Sequence, residues 1–199
     1  MVVIGLQILG WVAFVVGTLL AGRRLRQHPD RATAESLSRV VQGLFFVGLN
    51  LPWAIAIFYP GLTNYDALLG VPPLPLRPLT LAGGAVLLLA GLYLEIASAR
   101  ALRRLGHGAN AFRLTTALVT DDIYQRTRHP MALGWYLFCL GVALLAGSTT
   151  ITLVVLFAII PAHLLYLVYF EQYEVQLRLG QAYVDYRQNV PFLFPRPGG

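Results

Sequence analysis

Residues 124–135 read YQRTRHPMALGW. Arg126, Arg128 and His129, all charged or able to become so, stand just before Pro130, and an apolar run begins at once behind it. Proline suits the first turn of a helix, where its missing N–H would have no partner anyway, so a helix is predicted to start at Pro130. Such a helix leaves its cations at a boundary and continues into an apolar phase, which the rest of the chain identifies as a lipid bilayer.

Of 199 residues, 57% are hydrophobic and only 12% charged, a balance that excludes an ordinary soluble domain of this size. Apolar runs at 2–21, 40–59, 79–98, 131–147 and 151–170 each approach the roughly 20 residues that a helix needs to cross about 30 Å of hydrocarbon. The fourth is the shortest. The expected fold is therefore all-α: an integral membrane helical bundle of about five transmembrane helices. The first run is read as a retained span, because no basic residue precedes it and Arg23, Arg24 and Arg26 follow it.

There is no lysine, and fourteen of the fifteen arginines lie in 23–39, in 100–128 or from Arg178 onward. Only Arg77 falls between spans two and three, and none falls between spans four and five. By the positive-inside rule the N-terminus is outside, and the two basic loops and the C-terminal tail are cytoplasmic. The net charge of +6 reads as topology with some attraction to anionic headgroups, not as a nucleic-acid footprint. A composition free of lysine hints at a GC-rich prokaryote and so at its cytoplasmic membrane. The chain is read as one membrane domain, with a two-span part at 1–78 and a core at 79–199 that holds a helical hairpin (131–170) and a tail (171–199).

The loop at 23–39 is expected to be a solvated connector with a short helix near 33–38, and the proline- and glycine-rich stretch at 61–78 a turn-laden linker. Spans four and five are joined by only Ser148, Thr149 and Thr150, which demands a tight antiparallel hairpin. That hairpin brings the loop before span four beside the tail after span five. Tyr124, Arg126, Arg128 and His129 thereby meet Glu171, Glu174, Tyr183, Asp185, Tyr186 and Arg187.

The free N–H groups at the helix start, with Arg128 and His129, suit a carboxylate or phosphate. Gly134 allows close approach of a ligand or of another helix. Glu171 and Glu174 supply opposite charge, and Tyr183 and Tyr186 a stacking face or hydroxyls. S-adenosylmethionine, with a carboxylate, an ammonium, a diol, an aromatic base and a sulfonium that tyrosine faces can stabilise, matches this lining.

The string LVTDDIYQRTRHPMALG, then a short hairpin, then YFEQYEVQLRLGQAYVDYRQNVPFLFP, resembles the membrane methyltransferase superfamily of isoprenylcysteine carboxyl methyltransferases and phospholipid methyltransferases. The resemblance covers about residues 105–195. It implies S-adenosylmethionine closed into the C-terminal half, a lipid or lipophilic small molecule entering sideways from the bilayer, and methyl transfer to a carboxylate, amine or thiol at the cytoplasmic face. His129 and Glu171 are then cofactor contacts, with Tyr124, Pro130, Gly134, Tyr183 and Tyr186 around them. Arg128, as an anion clamp, and Glu174, as a stand-in acid, are the residues acting on the reacting groups. An amine acceptor asks for a base such as Glu171, Glu174 or Asp122. The chain departs from the family at Asp122-Ile123-Tyr124, where Gly-Pro-Tyr is usual, at Ala132, where an aromatic is usual, and at Gln172, which replaces the second acid of a pair. A membrane ligand carrier that keeps the fold without the chemistry is the alternative.

Glu95 is an acid inside span three, expected to pair with Arg100 or Arg103. His163, after Pro161, is expected to be a packed core histidine beside a kink, and Asn50 with Pro52 a second kink. The four histidines, at 28, 107, 129 and 163, are scattered singly, and Cys139 stands alone, so no metal site and no disulfide are expected.

Overall fold

The computed structural model describes residues 2–59, 61–106 and 114–195. In chain order it comprises α1 (Val2–Gln27), α2 (Arg31–Phe58), α3 (Asn64–Leu69), α4 (Arg77–Leu105), a 3₁₀ turn (Asp122–Gln125), α5 (Pro130–Ala146), α6 (Thr149–Leu179) and α7 (Gln181–Asn189). Among the described residues there is no strand. Helices α1, α2, α4 and α6 are long and apolar enough to cross a membrane. Helix α5, with 17 residues, reaches about 26 Å at 1.5 Å per residue, the shortest of the five as its sequence implied. Large apolar side chains such as Leu9, Val16, Leu89, Tyr93 and Phe157 point out of the bundle. Hydrocarbon is the solvent that makes such a surface stable, and the chain is an integral membrane helical bundle.

The loop expected at 23–39 is corrected by the structure. Helix α1 runs on to Gln27 and α2 begins at Arg31, so the connector shrinks to residues 28–30. Asp30 explains the early start: its carboxylate accepts from the N–H of Thr33 (2.9 Å) and from the Thr33 hydroxyl (2.7 Å), capping the new helix. The expected kinks at Pro52 and Pro161 take the form of π-helical stretches, Leu44–Asn50 before the first proline and Val155–Ile159 before the second. A proline removes one i→i−4 bond and crowds the carbonyl four residues back, and a wider turn relieves both. Asn50 Nδ2 donates to the carbonyl of Phe45 (3.0 Å), and Trp11 Nε1 donates to that of Ala158 (3.0 Å), tying α1 to α6. A third π stretch, Leu167–Glu171, ends on Glu171.

The segment at 61–78 is more than a linker, for it latches one end of the bundle. Asp66 accepts from the Ser148 hydroxyl (3.0 Å) and from the N–H groups of Thr149 (3.1 Å) and Thr150 (2.8 Å), the open donors at the start of α6. Arg77 donates to the carbonyls of Leu144 (3.2 Å) and Leu145 (2.6 Å) at the end of α5. Both ends of the α5–α6 turn are thus satisfied by a segment some 70 to 80 residues away.

Helices α4 and α5 lie against each other along a seam of glycines, Gly84 and Gly91 facing Gly134 and Gly141. A Cβ at Gly134 would sit 2.9 Å from the carbonyl oxygen of Gly91 and 3.0 Å from the backbone nitrogen of Glu95. One at Gly84 would sit 2.9 Å from the nitrogen of Leu145. Packing at backbone distance is what holds helices together where lipid competes for every larger side chain.

Two outcomes follow for stability in detergent. Gly134→Ala forces α4 and α5 apart and lowers stability by about 1–3 kcal/mol, read as a fall in melting temperature. Burial acts to raise the Asp66 carboxyl, but the hydrogen bonds from Thr150, Ser148 and Thr149 outweigh it and hold the group below the usual carboxylate range. Its contribution is therefore present above the unfolded value of about 3.9 and is lost as pH falls through the lower folded value. Asp66→Asn lowers the melting temperature at neutral pH, at a cost of about 1–3 kcal/mol, and the gap to wild type closes on acidification below about pH 4.

Candidate functional site

The loop ahead of α5 and the tail after α7 meet, as the hairpin requires. Arg128 donates its backbone N–H to the carbonyl of Pro191 (2.9 Å), and the fully buried Thr127 hydroxyl donates to that of Leu193 (2.8 Å). The ring of Phe192 packs edge-on to His129, centroids 4.7 Å apart, and lies 5.3 Å from the Arg128 guanidinium carbon. On the other side, Tyr186 of α7 donates its hydroxyl to the carbonyl of Tyr124 (2.7 Å). Two segments of irregular backbone are thereby fixed at the mouth of α5.

Tyr124, Arg128, His129 and Tyr186 line a cavity of about 550 Å³, within the usual range for a small-molecule site. Helices α2, α4, α5, α6 and α7 all contribute to it. Tyr124, Arg128, His129, Glu171, Glu174, Tyr183 and Tyr186 are brought together on its wall. Pro130 and Gly134 are not. Pro130 is buried in the first turn of α5, and Gly134 faces α4, so of the two partners the sequence allowed for this glycine, ligand or helix, the structure shows the helix.

Polar groups inside proteins are almost always paired. In this cavity Arg128 Nε and Nη1, His129 Nε2, Glu171 Oε2 and the Tyr183 hydroxyl are buried with no hydrogen-bond partner among the described residues. His129 Nδ1 lies 3.4 Å from Glu171 Oε2. Burial first, and the neighbouring Arg128 charge second, push the imidazole down to about 3. At neutral pH the ring is uncharged, and the contact with Glu171 is not an ion pair. Burial and the Glu171 charge raise the Tyr183 phenol, with Arg128 opposing, so it remains an O–H donor.

Glu174 has a different environment. It is 1% exposed, and both its oxygens are held by Arg178, through Nε and, at 3.4 Å, Nη2; the same guanidinium donates to the carbonyl of Thr115 (2.6 Å). The expected stand-in acid is thus already neutralised. Its partner sits four residues on, a spacing from which the pair can be read. Asp122 stays outside the cavity lining, exposed and 4.0 Å from Arg104. Glu95 makes neither expected pairing: among the described residues it has no ion pair, and it lines the cavity from α4. His163 is packed and hydrogen-bonded as expected, to Tyr136 at 2.9 Å, and also lines the cavity with Trp135 and Tyr166. No cluster of three His, Cys, Asp or Glu groups able to hold a metal occurs among the described residues, and His107 lies outside them.

Removing one partner of a buried ion pair leaves the other charged and unpaired, at a cost of about 3–5 kcal/mol, whereas replacing both with apolar or neutral groups is far milder. Arg178→Ala is accordingly expected to collapse the melting temperature in detergent. The double replacement Arg178→Met with Glu174→Gln recovers most of the loss.

A model of the phospholipid methyltransferase family matches residues 79–181, just over half of the chain, running from early α4 through α6. No curated protein and no solved structure matches the chain. The matched stretch contains the glycine seam, the Arg-His-Pro entrance to α5 and both glutamates of α6, so the family's defining region coincides with most of the cavity wall. The chain belongs to the phospholipid methyltransferase family, and is by that membership an integral membrane methyltransferase.

Proposed function

We propose that the protein transfers a methyl group from S-adenosylmethionine to a lipid or lipophilic small molecule at the cytoplasmic face of a prokaryotic membrane. The observation that carries this reading is the set of buried, unpartnered polar atoms of Arg128, His129, Glu171 and Tyr183 around one cavity. An anion, a cation and hydroxyl groups are needed to satisfy them together, and that is the chemistry of an amino acid joined to a nucleoside.

In this reading Arg128 holds a carboxylate with two N–H groups of one planar fork. Glu171 takes an ammonium or a ribose hydroxyl, and its neighbour His129 is uncharged. The rings of Tyr183 and Tyr186 shield a cation from water. When bound, the methyl donor supplies an electrophilic methyl carbon on sulfur. What the chain adds is position: catalysis of an in-line displacement rests on holding the acceptor beside that carbon and keeping water out. Glu171 is the base for an acceptor that arrives protonated, because Glu174 is committed to Arg178.

The cytoplasmic placement rests on arginine distribution, since the cavity lies at the end of the bundle that carries the Arg-rich segments. Residues 79–199 form the catalytic core in this reading. The part at 1–78 contributes as well, because Ser38, Gln42 and Phe45 of α2 line the same cavity.

Calorimetry of the detergent-purified protein tests the proposal. Wild type is expected to bind S-adenosylmethionine and S-adenosylhomocysteine, and His129→Ala and Glu171→Ala to weaken both at least about tenfold, the equivalent of 1.4 kcal/mol. A folded wild type that binds neither, in detergent and again in nanodiscs, is a carrier and not this enzyme.

A further inference from the structure

The polar atoms just described occupy one end of the cavity. Trp135 lies six residues beyond His129 on α5, and His163 eight residues before Glu171 on α6, placing them roughly 9–12 Å deeper along the helices. Here the wall is made of rings. His163 has Phe45 at 4.8 Å, Trp135 at 5.2 Å, Tyr166 at 5.4 Å and Tyr136 at 5.6 Å between centroids. All but Tyr136 line the cavity. A straight acyl chain needs no such wall, because aliphatic side chains pack it equally well. Aromatic walls gain from another flat ring, by stacking and edge-on contact worth about 0.5–1.5 kcal/mol per pair beyond burial.

His163 adds direction. It is 8% exposed, and its Nδ1 lies 2.9 Å from the Tyr136 hydroxyl. With the Tyr136 hydroxyl donating to Nδ1, the imidazole carries its proton on Nε2, the nitrogen that remains for the cavity. Nε2 makes no hydrogen bond among the described residues and is not one of the fully buried unpaired atoms, so it is open to the cavity that His163 lines. A ligand oxygen there can accept from it.

We infer that the inner end of the cavity is a binding site for the methyl acceptor, and that the acceptor is a flat, lipophilic, ring-bearing molecule whose oxygen accepts a hydrogen bond from His163 Nε2–H. The inference rests on the methyltransferase reading. It narrows the acceptor from any lipid to one with an oxygenated ring at its reacting end. Tyr136 acts as a positioning residue that fixes the tautomer of His163.

Three probes, each binding constant corrected for the probe's own partition from water into the detergent micelle, separate the contributions: 1,4-naphthoquinone, with ring and oxygen; naphthalene, with the ring alone; and 2-undecanone, with the oxygen on a chain. Calorimetric binding to the full-length protein in detergent is expected to favour naphthoquinone over both others by about tenfold, the scale of one hydrogen bond. His163→Phe keeps the ring packing and removes the N–H. It brings naphthoquinone down to the naphthalene level while S-adenosylhomocysteine binding stays unchanged; the melting temperature falls, because the buried Tyr136 hydroxyl loses its acceptor, and His163→Phe with Tyr136→Phe restores it. His163→Gln, which restores an N–H donor, recovers part of the preference, and Tyr136→Phe loses part of it. Equal binding of the three probes to a wild type that binds S-adenosylhomocysteine overturns the ring site and leaves the methyl donor intact. Weakening of S-adenosylhomocysteine by His163→Phe with Tyr136→Phe, at the wild-type melting temperature, assigns the rings to the donor and overturns it likewise. Naphthoquinone binding without any S-adenosylhomocysteine binding removes the proposed function and the acceptor role with it.

Discussion

In hydrocarbon there is no water for an unpaired polar group to fall back on, and this one constraint organises the molecule. Helix ends that would be hydrated in a soluble protein are closed here by distant side chains, Asp66 at the start of α6 and Arg77 at the end of α5, and within α6 Trp11 reaches a carbonyl of the π stretch after Val154. Glu174 is tolerated because Arg178 covers it. The hydroxyls of Thr18, Ser98 and Thr150 are also buried without a partner among the described residues, but none lines the cavity, whereas the unpaired atoms of Arg128, His129, Glu171 and Tyr183 converge on it.

The bundle was legible because its signals are local. Twenty-residue apolar runs mark spans, Pro130 marks a helix start, and three residues between two runs force a hairpin. These residues of the cavity wall were legible for the same reason, since Arg128 and His129 adjoin Pro130, and Glu171 follows the end of an apolar run. What escaped was set by pairing at a distance. Asp66 reads as one acid in a loop until Ser148, Thr149 and Thr150 are placed beside it. Thr127 reads as a spacer until the carbonyl of Leu193 reaches it. Glu174 was readable in principle from its i+4 arginine, and assigning it to chemistry overlooked that partner.

Glycine at 134 shows how one residue type answers two questions. Close approach was the right expectation, but the approaching group is α4 and not a ligand. Gly84, Gly91, Gly134 and Gly141 share a spacing of seven residues on their two helices, so the seam was present in the sequence as a matched period. Asp122 is the converse case. It occupies the place where the family usually has glycine, and it keeps the left-handed backbone, at φ 55°, that glycine would adopt freely. Asp is among the few side chains that tolerate it, so the turn leading to Tyr124 survives the change of residue.

The contact between residues 127–129 and residues 191–193 also bears on how the protein is made. Arg128 and Thr127 are positioned by carbonyls that follow them by more than sixty residues, and α5, α6 and α7 all come between. A nascent chain that has inserted its spans therefore still lacks the fixed loop at the mouth of α5. Closure of the cavity mouth becomes the last event of biogenesis, because it waits for residues 191–193 to leave the ribosome.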